Sequence, residues 1–504
     1  MEEGGMLPSA SRPFILSFAT TLIIALVCNL LLRQLGVKKK RRPWQTAITT
    51  SRESILGLLG IRLGDIPTTV IREGAVAVDA LVRRADAFSD RPAGAGATTI
   101  ISGGRLHIIT TVPYGPHWVA LRRNLSSEAF HPVRGLARAE PHRARALAAL
   151  VADVSARSAA AGAVPVRECL YAALFSLNVA TCFGDGVDGE VVQDMRAAQQ
   201  EFLRILPSFR VFATFNKVAR LVYWDRWGQL VHARRRQEEL YIPLIRACQE
   251  RRRRTGGGGT TTTYVDTLLG LEVPVEGDPH RRRRKLSDGD MVGLVSEYLG
   301  AATGTVLALL EWTLANLVRR PDIQSRLRSD LEAAAAGGEA PCAYLRAVVM
   351  ESLRRHPPVP SVQRHVRSSD TTVLVGGTPV APDTLVNFSL EDIGRDGKIW
   401  TSPEEFIPDR FMPGGEGEGV PLTIGSKEAT KVMMMPFGAG RRICPGMGYA
   451  MLHLEYFLAN LITAFEWHAV EGAEVDLKAD YGFFTTMSTP LRARVVPRVR
   501  LPLP

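Results

Sequence analysis

The stretch Phe437-Gly438-Ala439-Gly440-Arg441-Arg442-Ile443-Cys444-Pro445-Gly446 sets one cysteine in a glycine-flanked loop, and the fold is read outward from it. Gly440 and Gly446 allow a tight backbone path that side chains would block. Backbone N–H groups can then point at the sulfur. Residues 447–465 follow as an amphipathic helix whose N-terminus lies beside Cys444. The dipole at that end favours an anion, and with it a thiolate able to bind a metal. Arg442 is placed to meet an anionic group, and Phe437 to shield the sulfur from water. The bland alternative is a buried structural cysteine between turns.

The other cysteines, Cys28, Cys169, Cys182, Cys248 and Cys342, are scattered and form no C-x-x-C pair. That argues against a zinc site and against a disulfide framework. A chain of 504 residues with 46% hydrophobic and 22% charged content is globular rather than disordered. Its 62 Lys+Arg against 51 Asp+Glu leave a formal charge of +11. Such a balance suits an acidic protein partner, an anionic membrane surface or nucleic acid, although any single basic run is as readily a solvated face.

Residues 14–32 read FILSFATTLIIALVCNLLL, uncharged and long enough to cross a bilayer. Arg33 and then Lys38-Lys39-Lys40-Arg41-Arg42 follow, whereas Glu2, Glu3 and Arg12 precede. The positive excess on the C-terminal side predicts a single-pass anchor at 14–33, a short lumenal stretch at 1–13 and a cytosolic remainder. Residues 34–57 read as a polybasic linker, and 58–504 as one domain.

Within that domain, 141–161 and 291–318 have helical patterns. Shorter runs at 98–101, 371–375 and 493–496 read as strands, so the class is mainly α with small β-sheets. Two low-complexity pieces, RRRRTGGGGTTTT at 251–263 and EGDPHRRRRK at 276–285, have loop composition. The glycine run lacks the G-K-[ST] ending of a phosphate-binding loop.

The cysteine stretch matches F-x-x-G-x-R-x-C-x-G at every fixed position, and by it the chain resembles the cytochromes P450. Further elements fall in the family's order. Glu351-Ser352-Leu353-Arg354 is E-x-x-R, whose ends share a helix face. Pro408-Asp409-Arg410-Phe411 is similar to P-x-R-F. Trp118 and Arg122 match W-x-x-x-R, after Tyr114-Gly115-Pro116. The resemblance implies a P450 fold from about residue 58 onward, with Cys444 as axial ligand of the iron of haem b (protohaem IX). It also implies haem contacts at Trp118, Arg122, His365, Phe437 and Arg442, and a structural triad of Glu351, Arg354 and Arg410. Residues 447–467 and the run DIGRD at 392–396 look similar to the plant microsomal A-type group. That similarity implies an endoplasmic reticulum membrane, O2 and NADPH as co-substrates, and NADPH-cytochrome P450 reductase as partner. The acidic surface of that reductase suits a basic chain, and nucleic acid is then not needed.

Two departures stand out. Where the family reads A-G-x-[DE]-T, this chain has Ala301-Ala302-Thr303-Gly304-Thr305. The catalytic Thr305 stays, but the acid that helps relay protons is replaced by Gly304. Upstream, Pro43-Trp44 is followed closely by Arg62-Leu63-Gly64, so the hinge is shortened; a deletion, a mispredicted exon and a decayed gene all fit. The expected reaction is insertion of one oxygen atom from O2 into an apolar small molecule. Candidate pocket residues, by position in the family, are Ile108, Phe209, Phe212, Ala301, Thr305, Val362, Thr485 and Thr486. The alternatives are an O2-independent haem-thiolate isomerase or dehydratase, and a non-catalytic or degenerate haem-binding membrane protein.

Overall fold

The computed structural model describes residues 48–54, 65–92, 97–102, 108–209, 212, 216–254, 263–275, 282–337, 342–367, 372–424 and 432–498. The expected lumenal stretch and anchor lie outside the described residues, as does the linker up to residue 47.

Strand β1 (Ile48–Ser54) pairs antiparallel with β2 (Asp65–Ile71), Ile48 opposite Ile71. β1 falls inside the span read as linker: Ile48, Thr49 and Thr50 favour extended backbone once β2 offers a ladder. A helical body follows. Its main pieces are α1 (Pro116–Asn124), α2 (Glu140–Ala161), β3 (Val164–Pro165), α3 (Val166–Phe183), α4 (Gly189–Ile205) and α5 (Trp224–Arg254). The hairpin β4 (Glu272–Pro274) and β5 (Arg283–Lys285) leads into α6 (Asp288–Arg319), α7 (Pro321–Gly337) and α8 (Ala343–Arg355). The chain then makes β6 (Ser361–His365), β7 (Val373–Val375), β8 (Thr378–Val380) and β9 (Leu385–Ser389). It ends with α9 (Met447–Ala464), β10 (Phe465–Ala469), β11 (Ala479–Tyr481), β12 (Thr485–Met487) and β13 (Arg492–Pro497).

α6 organises the core. It starts at a capping box: the Ser287 hydroxyl accepts from the Asp290 N–H at 3.2 Å, and the Asp290 carboxylate accepts from the Ser287 N–H at 2.9 Å. Beyond the cap it is apolar on nearly every side, and such a helix must be buried. α3, α5, α8 and α9 pack around it. Among the described residues it is the one helix long and apolar enough to cross a membrane, and its apolar window is mostly buried inside the protein. Truncating a fully buried member such as Leu299 to alanine would cost about 2–5 kcal/mol.

The larger sheet has the order β1-β2-β9-β6, with β2 and β9 parallel and the other pairs antiparallel. A second core lies against it, built from Ile71, Val386, Phe388 and Met435. β10-β13-β3 form a smaller sheet, and β11–β12 a hairpin that reaches α6.

Two local expectations change. Residues 98–101 belong to a short helix, Ala97–Ile101, rather than a strand. Tertiary contacts override the β-branched run: the hydroxyls of Thr99 and Thr111 are 3.1 Å apart, and Ile100 joins Phe202 and Ile205 in a satellite core. The basic run at 276–285 ends in β5, and Arg251–Arg254 close helix α5. Residues 255–262 and 276–281 lie outside the described residues.

Candidate functional site

The cysteine loop is held by its own backbone. The N–H of Cys444 donates to Phe437 O at 2.9 Å, and that of Gly440 to Ile424 O at 3.2 Å. Gly440 has φ +71°, and a Cβ there would run into the Leu81 carbonyl oxygen, so only glycine fits. Burial pushes the Cys444 thiol up, while the Gly446 N–H and the charge of Arg122 pull it down. A cation bound to the sulfur would tip this balance to thiolate. Burial pushes Cys169 up to about 12 and Cys182 well above its usual range, which marks both as inert core thiols. The sulfur of Cys342 accepts from the Leu345 N–H at 3.4 Å and caps α8.

Beside the loop lies a set of guanidiniums, those of Arg364 and Arg442 buried and those of Arg91 and Arg122 half-buried. Arg122 Nη2 donates to Ile443 O at 2.5 Å. Arg442 donates to Ser89 O at 2.5 Å, Ile109 O at 3.2 Å and Val112 O at 2.6 Å. Both cations lie over the ring of Trp118, at 5.8 Å and 5.2 Å. Arg91 and Arg364 each donate to Gln363 O, at 3.0 Å and 2.9 Å. Arg364 is 1% exposed. Burial, then the charges of Arg91 and Arg442, push it far below the usual range. Burial likewise lowers Arg91 and Arg442, each to about 10.

The nearby carboxylates are already engaged. Asp90 pairs with Arg367 at 2.5 Å and accepts from Tyr114 N–H at 2.8 Å. Glu297 accepts from the N–H groups of Ile109 and Thr110, at 2.9 Å and 2.7 Å, and from the Thr110 hydroxyl. Burial raises its pKa against those donors and Arg91. Arg91 Nε is buried with no partner among the described residues. Stranding so much buried and half-buried positive charge is costly, so the arrangement fits a ligand that brings carboxylates. The two propionates of a haem would be such groups, and the Cys444 sulfur would be available to its iron.

His365 is directed elsewhere. Side chains alternate along β6, and its Nε2 lies 3.6 Å from Asp383 Oδ1, with the side chain 27% exposed. The buried member of the strand is its neighbour Arg364. Phe437 is half-buried against the helical core.

Across the core, Ala301 is exposed although Gly300 and Ala302 are buried, so this face of α6 borders an opening. Thr305, one turn on, donates its hydroxyl to Ala301 O at 2.7 Å. Ile108 and Val362 are half-buried. Thr485 is buried, with its N–H donating to Pro358 O at 2.8 Å, and Thr486 is half-buried. Phe212 is buried against Trp227 in the satellite core. The side chain of Phe209 lies outside the described residues.

The structure brings Glu351, Arg354 and Arg410 together at the C-terminal end of α8. Arg354 holds both oxygens of Glu351 at 2.7 Å, and Arg410 Nε lies 3.4 Å from Glu351 Oε1. Sequence reasoning missed Arg91, Glu297, Arg364 and Phe484. Only the helical spacing 297–301–305 offered a signal, and it concerns Glu297 alone.

The cytochrome P450 family model matches residues 25–493. Cytochrome P450 89A9 of Arabidopsis thaliana is 35% identical over 454 residues, covering 88% of this chain and 86% of that protein. Cytochrome P450 78A1 of Zea mays is 31% identical, covering 88% and 80%. A flavonoid 3'-monooxygenase of Crocosmia x crocosmiiflora is 27% identical, covering 93% and 90%. Among solved structures, a zebra fish cytochrome P450 with progesterone superposes with TM-score 0.69 at 20% identity, over 93% of this chain and 99% of that one.

Proposed function

Because the chain belongs to the cytochrome P450 family, and is thereby an oxidoreductase of the monooxygenase kind, we propose that it inserts one oxygen atom from O2 into an apolar small molecule of plant metabolism. Electrons come from NADPH through NADPH-cytochrome P450 reductase. The observation that carries the reading is the Cys444 loop, its sulfur facing the Gly446 N–H and the charge of Arg122, set beside buried and half-buried guanidiniums with too few carboxylates. Bound haem supplies the oxygen chemistry, and thiolate ligation favours O–O cleavage.

The chain's own residues divide the remaining work. Cys444 is the ligand and Phe437 covers its loop. Trp118, Arg122 and Arg442 hold carboxylates, with Arg364 and Arg91 beside them. Thr305 keeps a hydroxyl proton on the open face of α6, where Ala301 O now accepts it. Glu351, Arg354 and Arg410 lock the core at the C-terminal end of α8. The 14–33 segment anchors the protein in the endoplasmic reticulum membrane with the domain in the cytosol. The flavonoid 3'-monooxygenase among the relatives supports a small plant metabolite as substrate.

Reduced protein given carbon monoxide should show the red-shifted Soret band of thiolate ligation. Cys444→Ala should abolish the band and Cys342→Ala should keep it. The same spectrum in Cys444→Ala overturns the reading. The acid missing at Gly304 favours one rival, an O2-independent isomerase or dehydratase, which would turn over without NADPH.

A further inference from the structure

Gly304 sits inside α6, where glycine costs about 1 kcal/mol relative to alanine. A glycine kept at such a place has a packing reason, and the structure supplies one. A Cβ at position 304 would lie 2.6 Å from Cδ2 and 3.1 Å from Cζ of Phe484, and nearer still to Cε2. The ring edge therefore occupies the volume that any side chain at 304 would enter.

The backbone that carries that ring is anchored. Phe484 sits at the tip of the hairpin between β11 and β12, and the hairpin is tied down on three sides. The Thr485 N–H donates to Pro358 O at 2.8 Å, and Thr485 O accepts from Trp312 Nε1 at 3.3 Å. Trp312 is in turn stacked on His356, with centroids 4.3 Å apart and planes 6° from parallel. Arg167 Nη2 donates to Met487 O at 2.7 Å. Phe483 meets the Phe484 ring edge-on at 4.8 Å. Moving the backbone at Phe484 would mean breaking the hairpin's anchorage to α6 and to the segment after α8. A side chain at 304 can therefore be admitted only by turning the ring about its own side-chain bonds, which costs energy wherever it leaves a staggered rotamer.

We infer that Gly304 and Phe484 are one matched specificity element, in which the ring stands in the place of the acid and forms an apolar wall next to Thr305. The carboxylate is then excluded from this position, since its charge would be buried against an aromatic ring. Restoring it by Gly304→Asp alone does not return a proton relay. What reaches Thr305 is selected by its fit past Phe484, and bulky groups are turned away. This rests on the monooxygenase reading for its spectroscopic and NADPH readouts, and the unfolding cycle is independent of it.

The test uses the haem-loaded full chain and three azoles: imidazole, 4-phenylimidazole and 1-tritylimidazole, each titrated by its absorbance difference spectrum. Phe484→Ala should tighten 1-tritylimidazole by about tenfold or more, and leave imidazole within about twofold. An affinity for 1-tritylimidazole that does not change, or a gain equal to that of imidazole, overturns the inference.

A thermal-unfolding cycle gives an independent arm. Gly304→Ala alone should lower Tm, and in the Phe484→Ala background it should not. Effects of the two substitutions that simply add overturn the inference as well. With reductase and a turned-over substrate, Gly304→Asp/Phe484→Ala should divert less NADPH to hydrogen peroxide than Gly304→Asp; equal diversion overturns it. A wild-type protein with no thiolate Soret band would sink the monooxygenase reading instead, and the unfolding cycle would still judge the pair.

Discussion

The guanidinium of Arg354 lies against the carboxylate of Glu351 with Nε–Oε2 and Nη2–Oε1 both at 2.7 Å, and neither side chain has any exposed surface. The remaining donors of Arg354 reach Gly394 O and Pro403 O at 2.9 Å and Glu405 O at 3.1 Å. Glu351 also accepts from the Ile407 N–H at 2.9 Å. One bidentate pair thus fastens α8 to the irregular chain that leads to the cysteine loop.

Glu351→Gln should therefore leave two buried guanidiniums short of charge, at about 3–5 kcal/mol. Arg354→Lys should fare little better, because an ammonium cannot reproduce the planar fork. Thermal melts and the yield of haem-loaded protein check this. A Glu351→Gln protein of wild-type stability and loading would show that the pair carries no such load.

Arg364 and His365 are neighbours with opposite expectations. Arg364→Met should speed haem transfer to apomyoglobin by about tenfold or more, the worth of one charge-assisted hydrogen bond. His365→Ala, which among the described residues loses a half-exposed contact with Asp383, should stay within about twofold. The reverse order would assign the haem contact to His365 and not to Arg364.

His453 governs part of the acid response. It is fully buried on α9, stacked on Tyr449 at 4.0 Å, with Nδ1–H donating to Tyr449 O at 2.7 Å. Burial pushes its pKa from 6.5 down to about 4. Above pH 6.5 both folded and unfolded states hold it neutral, and its contribution is level. Between 6.5 and about 4 the unfolded chain takes a proton that the folded chain refuses. Stability should fall through that window, by on the order of 3 kcal/mol from this group. Burial shifts His356 the same way. Denaturant melts of wild type and His453→Phe at pH 7 and pH 4.5 test it: the variant should lose less on acidification. Equal losses would assign the acid response to other groups.

The anchor reading is tested in sealed microsomes. Added protease should digest the domain after Arg42, and detergent should make no further difference. A domain protected until detergent is added would reverse the orientation.

Much of the site could be read from the chain alone because its signals are local. The glycines around Cys444, the helix start at Met447 and the i,i+3 pair of Glu351 and Arg354 are short-range features with their own physical reasons. The mainly helical class likewise came from periodicity, most clearly in the apolar run that became α6. Residues 98–101 went the other way. Their β-branched composition favours a strand, yet contacts with Thr111 and Phe202, distant in sequence, made them helical.

What sequence by itself determined was therefore the glycine-flanked cysteine loop, the family and the long helices. Each depends on spacing within one segment. Only the tertiary structure could decide that Arg364 rather than His365 enters the cationic cluster, since that turns on which face of β6 meets Arg91 and Arg442. Only it could turn Gly304 from a missing acid into a receptor for Phe484, 180 residues away along the chain. Whether a side chain is absent or displaced is a question about volume, and volume is shared between segments that meet only when the chain is folded.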